Sequence, residues 1–267
     1  MKPYRLFKTL AKLNLGKNFI KCVIAFLFVS LLPNLILLLP NSLELTRNNT
    51  LILLLLSTFI LIPCFKIGAI GFMIDSIEKK ETSLGNMFDG FLYIFKLIPL
   101  MISKIISYIP LILVIFLTYK LISKEAIDIL KEYALDPAKN IDILIKIPQS
   151  DLYTMFFSEI GIVASFVVSV IISAYVSLTN YILYCEKLSG IKAVIKSIKL
   201  MKGHILYYIG FNLSFFIWYI ISAFTHGFSD MIFMPYKEAS FIMFYKYLNG
   251  ELEIQEVEHT AHNKEEE

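Results

Sequence analysis

Charge is scarce in this chain. Only 18% of its 267 residues are charged, while 57% are hydrophobic. A soluble domain of this length carries about a quarter charged residues and about half apolar ones. The imbalance excludes a water-soluble globule, because one core has no room for the surplus, and makes lipid the solvent for much of the chain. Alternating apolar strands are lacking too. Runs such as "LILLLLSTFILIPCF" are continuous, whereas a membrane barrel needs alternating segments of roughly 10 residues. The fold class read from this is all-α, a polytopic membrane helix bundle of about six transmembrane helices with interfacial amphipathic helices.

Cysteine is nearly absent. Cys22, Cys64 and Cys185 lie far apart with no C-x-x-C, which excludes a disulfide or zinc framework. We read them as small buried hydrophobes. The nucleotide signature G-x-x-x-x-G-K-[ST] and the zinc signature H-E-x-x-H do not occur, and there is no G-x-S-x-G elbow. His259 and His262 stand three apart, but among the glutamates of a polar tail. The spans offer no cluster of Asp, Glu, His or Cys at one depth. No catalytic residue, metal ligand or cofactor is therefore expected, the chain reads as a non-enzyme, and nothing in it suggests nucleic acid. The basic start followed by an apolar run lacks a small-x-small cleavage site, so the first span reads as uncleaved.

Apolar runs of roughly 20 residues, long enough to cross a ~30 Å core as helix, fall at about 19–39, 51–74, 98–121, 156–184, 205–224 and 231–248. Pro63 is expected to kink the second and Pro99 and Pro110 to interrupt the third. Lys66, inside the second, is costly there unless it packs between helices, snorkels or faces water. The connection 122–154 carries helical spacing at Ile127, Ile129-Leu130 and Tyr133-Ala134, which predicts a short amphipathic helix stopped near Asp136-Pro137. Residues 1–250 read as one membrane domain, with three possible hairpin units (1–75, 76–185, 186–250). Residues 251–267, with seven Glu and one Lys, form an acidic disordered tail of charge −6 that leaves +9 on the rest.

Basic residues set the orientation. The N-terminus carries Lys2, Arg5, Lys8, Lys12 and Lys17, the second connection Lys79, Lys80 and Lys96, and the fourth Lys187, Lys192, Lys196, Lys199 and Lys202. The first connection has only Arg47 and the fifth no Lys or Arg. The third mixes four lysines with six acids. The alternation places both termini in the cytoplasm of a multi-pass cell-membrane protein.

Three groups of residues stand out. Gly161, Ser165, Ser169, Ser173 and Ser177 recur every four residues and share one helix face, the small-xxx-small spacing that lets membrane helices approach. A hydroxyl-lined solute path is the rival reading. Lys192, Lys196, Lys199 and Lys202 fall on one helix face opposite Ile191, Val194-Ile195 and Ile198. Such a helix lies along anionic lipid headgroups, each lysine contributing roughly 1 kcal/mol. The last hydrophobic stretch, "FMPYKEASFIMFYKYL", places Pro235, Tyr236, Lys237 and Glu238 opposite Trp218. With Pro235 disfavouring helix at Met234, Met231–Met234 are expected as a loose entry to a helix of roughly 21 Å. Trp218, Pro235, Tyr236, Lys237 and Glu238 are the candidate functional site or structural clasp.

The stretch 197–248 carries Ser197, Met201, Gly203, Leu213-Ser214-Phe215, Trp218, Gly227, Pro235-Tyr236 and Phe244-Tyr245. This pattern resembles the C-terminal half of domain-of-unknown-function family 975. One departure is Phe228-Ser229, where the family turn is expected to be richer in glycine. The resemblance implies a bacterial multi-span membrane protein and no particular activity. Two functions compete. A non-enzymatic scaffold or accessory protein of the cell envelope, with the bilayer, its anionic headgroups and an unidentified membrane protein as partners, predicts a closed bundle. A small-solute transporter or lipid-handling protein predicts a cavity lined by Lys66, the serine stripe and Lys237/Glu238.

Overall fold

The computed structural model describes residues 3–42, 46–78, 80, 82–135, 141–225 and 227–252. These are helical, with no strand among them. The helices are α1 (Pro3–Leu15), α2 (Phe19–Ser42), α3 (Arg47–Leu56), α4 (Ile62–Ile77), α5 (Ile94–Leu121), α6 (Lys124–Leu135), α7 (Gln149–Tyr175), α8 (Thr179–Glu186), α9 (Gly190–Met201), α10 (Ile205–Leu213), α11 (Phe216–Phe224) and α12 (Asp230–Leu248). They divide into two compact units, residues 1–101 with 174–267, and residues 102–173. The division falls within α5 and close to the end of α7, not in the connections between hairpins.

Three helical stretches are long and apolar enough to cross a membrane: Arg47–Ile77, Leu84–Leu121 and Gln149–Glu186. The pair α10 and α11, bent by 46°, makes a fourth if it counts as one span. In the apolar window of Gln149–Glu186 only 6% of the residues are buried. Side chains such as Val163 and Phe166 point outward, as they do when hydrocarbon is the solvent. The first and sixth runs of the sequence correspond to α2, 24 residues long, and α12, 19 residues long.

Local chemistry explains the breaks. Pro63 has no N–H to give to the carbonyl four residues back. The helix widens just before it into a π turn, Ser57–Leu61, and Ile62 N–H reaches the Ser57 carbonyl five residues back. Ser83 starts the 3₁₀ segment Leu84–Tyr93 with a reciprocal cap, Gly85 N–H to its hydroxyl and Asn86 Oδ1 accepting its own N–H. The Asp136-Pro137 stop lies outside the described residues.

The fourth run is one apolar stretch, Gln149–Glu186, with a turn at residues 176–178 where α7 passes into α8. Two expectations are corrected. Pro99 and Pro110 do not interrupt the third run, because α5 continues through both from Ile94 to Leu121. Nor are Met231–Met234 a loose entry, because α12 begins at Asp230 and runs through Pro235. Pro235 lies early in the helix and forfeits only the bond to the Met231 carbonyl. A helix among apolar neighbours tolerates such a loss when they pack around it, and Pro235 is buried.

The first unit has an aromatic core. Phe7 of α1 meets Tyr207, Phe211, Phe244 and Tyr247 at centroid distances of 5.4–6.4 Å. Leu6, Leu10, Ala11 and Leu15 are buried beside it. The basic N-terminal segment thus packs one face into protein, against α12, and only the other face is open. In the second unit, Asp151 receives the Ser123 N–H at 2.9 Å and its hydroxyl at 2.7 Å, joining the start of α7 to the start of α6.

Candidate functional site

Glu238 is buried on α12, 6% exposed. A buried carboxylate is costly unless donors compensate it, and two other helices supply them. Tyr181 of α8 donates its hydroxyl to Oε2 at 2.5 Å. Lys66 of α4 places Nζ 3.8 Å from Oε1, its side chain 44% exposed. The Tyr181 ring stacks on Tyr245 at 6.0 Å. Tyr245 in turn donates its hydroxyl to Glu186 at 2.8 Å, and Lys196 of α9 holds both Glu186 oxygens at 2.7 Å. A line of matched donors and acceptors therefore ties α4, α8, α12 and α9 together.

The five residues of the expected clasp do not act as one group. Lys237 places its ammonium over the rings of Tyr219, at 5.0 Å, and Phe241, at 5.9 Å. Trp218 lies flat on Phe233 at 5.4 Å and 9°, and Tyr236 meets Phe215 edge-on at 6.1 Å. Trp218 and Tyr236 line an apolar groove of about 590 Å³.

Opposite this junction, the span broken between α10 and α11 has a physical cause that the sequence hides. The Ser214 hydroxyl bonds back to the Phe211 carbonyl at 2.5 Å. The Ser214 carbonyl, released from the helical ladder, accepts from Lys8 Nζ at 3.0 Å. The same ammonium sits 3.9 Å above the Phe215 ring, and burial holds its pKa below the ordinary lysine value. Lys8 thus caps a helix end in trans.

A charged cavity of about 740 Å³ lies where α4, α8 and α12 end, lined by Asp75, Glu78, Lys80, Asp89, Glu186 and Lys187 among others. Lys80 bonds Asp75 at 3.0 Å and Glu78 at 2.8 Å, Lys246 bonds Glu78 at 2.8 Å, and the Tyr184 hydroxyl donates to Asp75. Desolvation pushes the Glu78 carboxyl up, but the bonds from Lys246 and Lys80 outweigh it and hold its pKa below the usual value. Cys185 is exposed at this cavity, unlike the buried Cys22 and Cys64.

The small-residue stripe divides between contacts. A Cβ at Gly161 would meet Val114 at 3.0 Å. Ser165 is buried, and Ser169 donates to the Ser107 carbonyl at 2.6 Å, so this part of α7 approaches α5. Ser173 is exposed, and Ser177 bonds within its own turn, to the Ala174 carbonyl. On α9 the buried face is Gly190, Ala193, Ser197 and Met201. Ile191, Ile195 and Ile198 form an exposed edge beside it. Lys192 and Lys199 form another with Lys202 at the helix end, while Lys196 turns to Glu186. Among the described residues no cluster of His, Cys, Asp and Glu is arranged to hold a metal ion.

The residues that carried the family resemblance have structural employment here. Ser197 donates to the Tyr175 carbonyl at 2.7 Å and accepts the Leu178 N–H at 3.2 Å, so it pins α9 to the turn before α8. Gly203 and Gly227 take φ of +88° and +85°, where glycine is favoured. Residues 1–251 match the model of the family described as protein of unknown function DUF975. The chain belongs to the DUF975 family. No curated protein and no solved structure matches it. In this DUF975 protein, then, Ser197 serves α9, Ser214 the bend, and Trp218 with Tyr236 the groove wall.

Tyr181, Glu186 and Asp75 are the residues that sequence reasoning missed, and Tyr245 entered only through the family resemblance. The demand of Glu238 and Lys66 for partners was the available signal, but with 15 tyrosines in the chain nothing singled out Tyr181.

Proposed function

We propose that this protein is a non-enzymatic scaffold or accessory protein of the bacterial cell envelope, anchored on anionic headgroups by α9. One observation carries the reading: the ionisable side chains among the apolar helices bind helices to each other. Lys66 faces Glu238, Tyr181 serves the same carboxylate, and Lys237 rests on two rings. Neither Lys66 nor Lys237 lines the charged cavity, the groove or the shallow cavity of about 480 Å³ beside Lys192 and Lys199. A translocation path needs such groups lining a water-filled cavity. The exposed edges of α9, isoleucines beside lysines, suit a helix lying in the headgroup layer with its lysines toward phosphate.

The test is flux from proteoliposomes loaded with a small fluorescent anion or with rubidium. We expect leakage equal to that of protein-free vesicles. Transport that Lys66→Met or Glu238→Gln abolishes would refute the reading. The anchoring is measured separately, by the enrichment of phosphatidylglycerol around the protein in mixed vesicles. Lys192→Gln/Lys199→Gln/Lys202→Gln should lower it, and an unchanged enrichment would remove α9 from the anchor.

A further inference from the structure

The groove at Trp218 has a composition that its neighbours do not explain. One wall is Lys12 of α1, Gly16 in the following turn and Phe19 of α2, and the other is Trp218, Phe233 and Tyr236. Its volume, about 590 Å³, falls within the ordinary range of ligand pockets, roughly 300–1,000 Å³. The Trp218–Phe233 stack gives it a flat aromatic floor. Three of its lining residues carry hydrogen-bond donors: the Lys12 ammonium, the Trp218 indole N–H and the Tyr236 hydroxyl. Among the described residues Lys12 has no ion pair, and neither ring donor has a hydrogen-bond partner. Among the described residues no carboxylate lines the groove. It also opens onto apolar surface, since Ile232, at its rim, is 59% exposed and Ile217, beside Trp218, is 71% exposed.

An apolar trough lined by Lys12, Trp218 and Tyr236, with no carboxylate among its described residues, complements an anionic amphiphile. For a chain with this much outward-facing apolar surface, the amphiphile at hand is membrane lipid. We propose that this groove binds one anionic phospholipid, an acyl chain lying along the Trp218–Phe233 stack and the phosphate at Lys12, with Trp218 and Tyr236 as donors to the headgroup. The site is built from α1, the start of α2, α11 and α12 and shares no residue with α9, so it stands independently of the anchoring proposed above.

Trp218 is the chain's single tryptophan, so its fluorescence reports on this groove alone. The full chain is placed in nanodiscs of phosphatidylcholine containing a small fraction of bromine-labelled lipid, either phosphatidylglycerol or phosphatidylcholine, labelled at the same acyl position. One lysine near a phosphate corresponds to a preference of roughly fivefold. Half-maximal quenching is therefore expected at roughly a fivefold lower mole fraction of labelled phosphatidylglycerol. Lys12→Gln should bring the two lipids to parity. Lys12 is exposed, and circular dichroism confirms that the variant keeps its helices. Lys192→Gln/Lys199→Gln should leave the preference intact. Unlabelled phosphatidylglycerol should reverse the quenching, and inorganic phosphate should not. Equal quenching by both lipids, no quenching by either, a preference that survives Lys12→Gln, or one lost with the α9 lysines would overturn the proposal.

Discussion

The crossing of α4 with the 3₁₀ segment Leu84–Tyr93 has no room for a side chain, and alanine substitutions there should be costly. A Cβ built at Gly68 would lie 2.8 Å from the Met87 carbonyl carbon and closer still to its oxygen, and one at Gly90 would lie 2.8 Å from Gly68 N. Ordinary contacts of a Cβ begin at 3.4 Å, so each alanine must push two backbones apart by at least 0.6 Å, the difference of those values. Backbone cannot escape by changing rotamer. The penalty therefore belongs at the upper end of overpacking costs, about 3 kcal/mol. Alanine returns about 1 kcal/mol of helix propensity at Gly68, leaving a net loss of about 2 kcal/mol from these two terms. Gly210 on α10 is the control. A Cβ there meets nothing within 4 Å, so Gly210→Ala should stabilise by up to about 1 kcal/mol. The assay is unfolding of the purified protein in mixed micelles by sodium dodecyl sulfate, followed by helical circular dichroism. If Gly68→Ala and Gly210→Ala move the midpoint in the same direction, the crossing does not hold the unit together as described.

Other perturbations separate the remaining contacts. Tyr181→Phe should cost about 1.5–3 kcal/mol, the range for a hydrogen bond to a charged group, while Lys66→Met, whose ion pair is nearly half open to solvent, should cost below about 1 kcal/mol; the reverse order in the same unfolding assay would contradict the assignment. Glu78 carries a pH signature. Its folded pKa lies below the ordinary 4.5, so its contribution is present above that value and is lost as pH falls through the folded pKa; Lys246→Met should flatten the acid limb of a stability profile between about pH 5 and 3, and an unchanged limb would refute the pairing. Ser169→Ala should cost about 0.6 kcal/mol, the average for hydrogen bonds between membrane helices, whereas Gly161→Leu, driven into Val114, should cost more; equal effects would argue against close approach of α5 and α7.

The sequence made some of this legible and hid the rest for identifiable reasons. Spans are visible because transfer to lipid depends on composition summed over roughly 20 residues, which no tertiary contact needs to specify. Lys66 and Glu238 could each be marked as needing a partner, because the cost of a buried charge belongs to the residue itself. That they answer each other, with Tyr181 as the second donor, depends on the relative placement of α4, α8 and α12, which no local rule encodes. Pro235 misled for the converse reason: the rule that ends helices before proline is local, and here the packing of Phe233, Phe241 and Phe244 of α12 against Phe215 and Phe211 outweighs one missing hydrogen bond. The break at Ser214-Phe215 is the hardest case. It contains neither proline nor glycine, and Lys8, 206 positions away in sequence, supplies the hydrogen bond to its freed carbonyl. If that account is right, Lys8→Met removes the donor and the cation above Phe215 together and leaves a carbonyl with one fewer partner, a loss of about 1–3 kcal/mol. The span can recover the missing bond by straightening. Spin labels at Leu206 and Phe224, both exposed, would then move apart in Lys8→Met relative to the parent, and an unchanged distance would show that the Ser214 hydroxyl alone sets the bend.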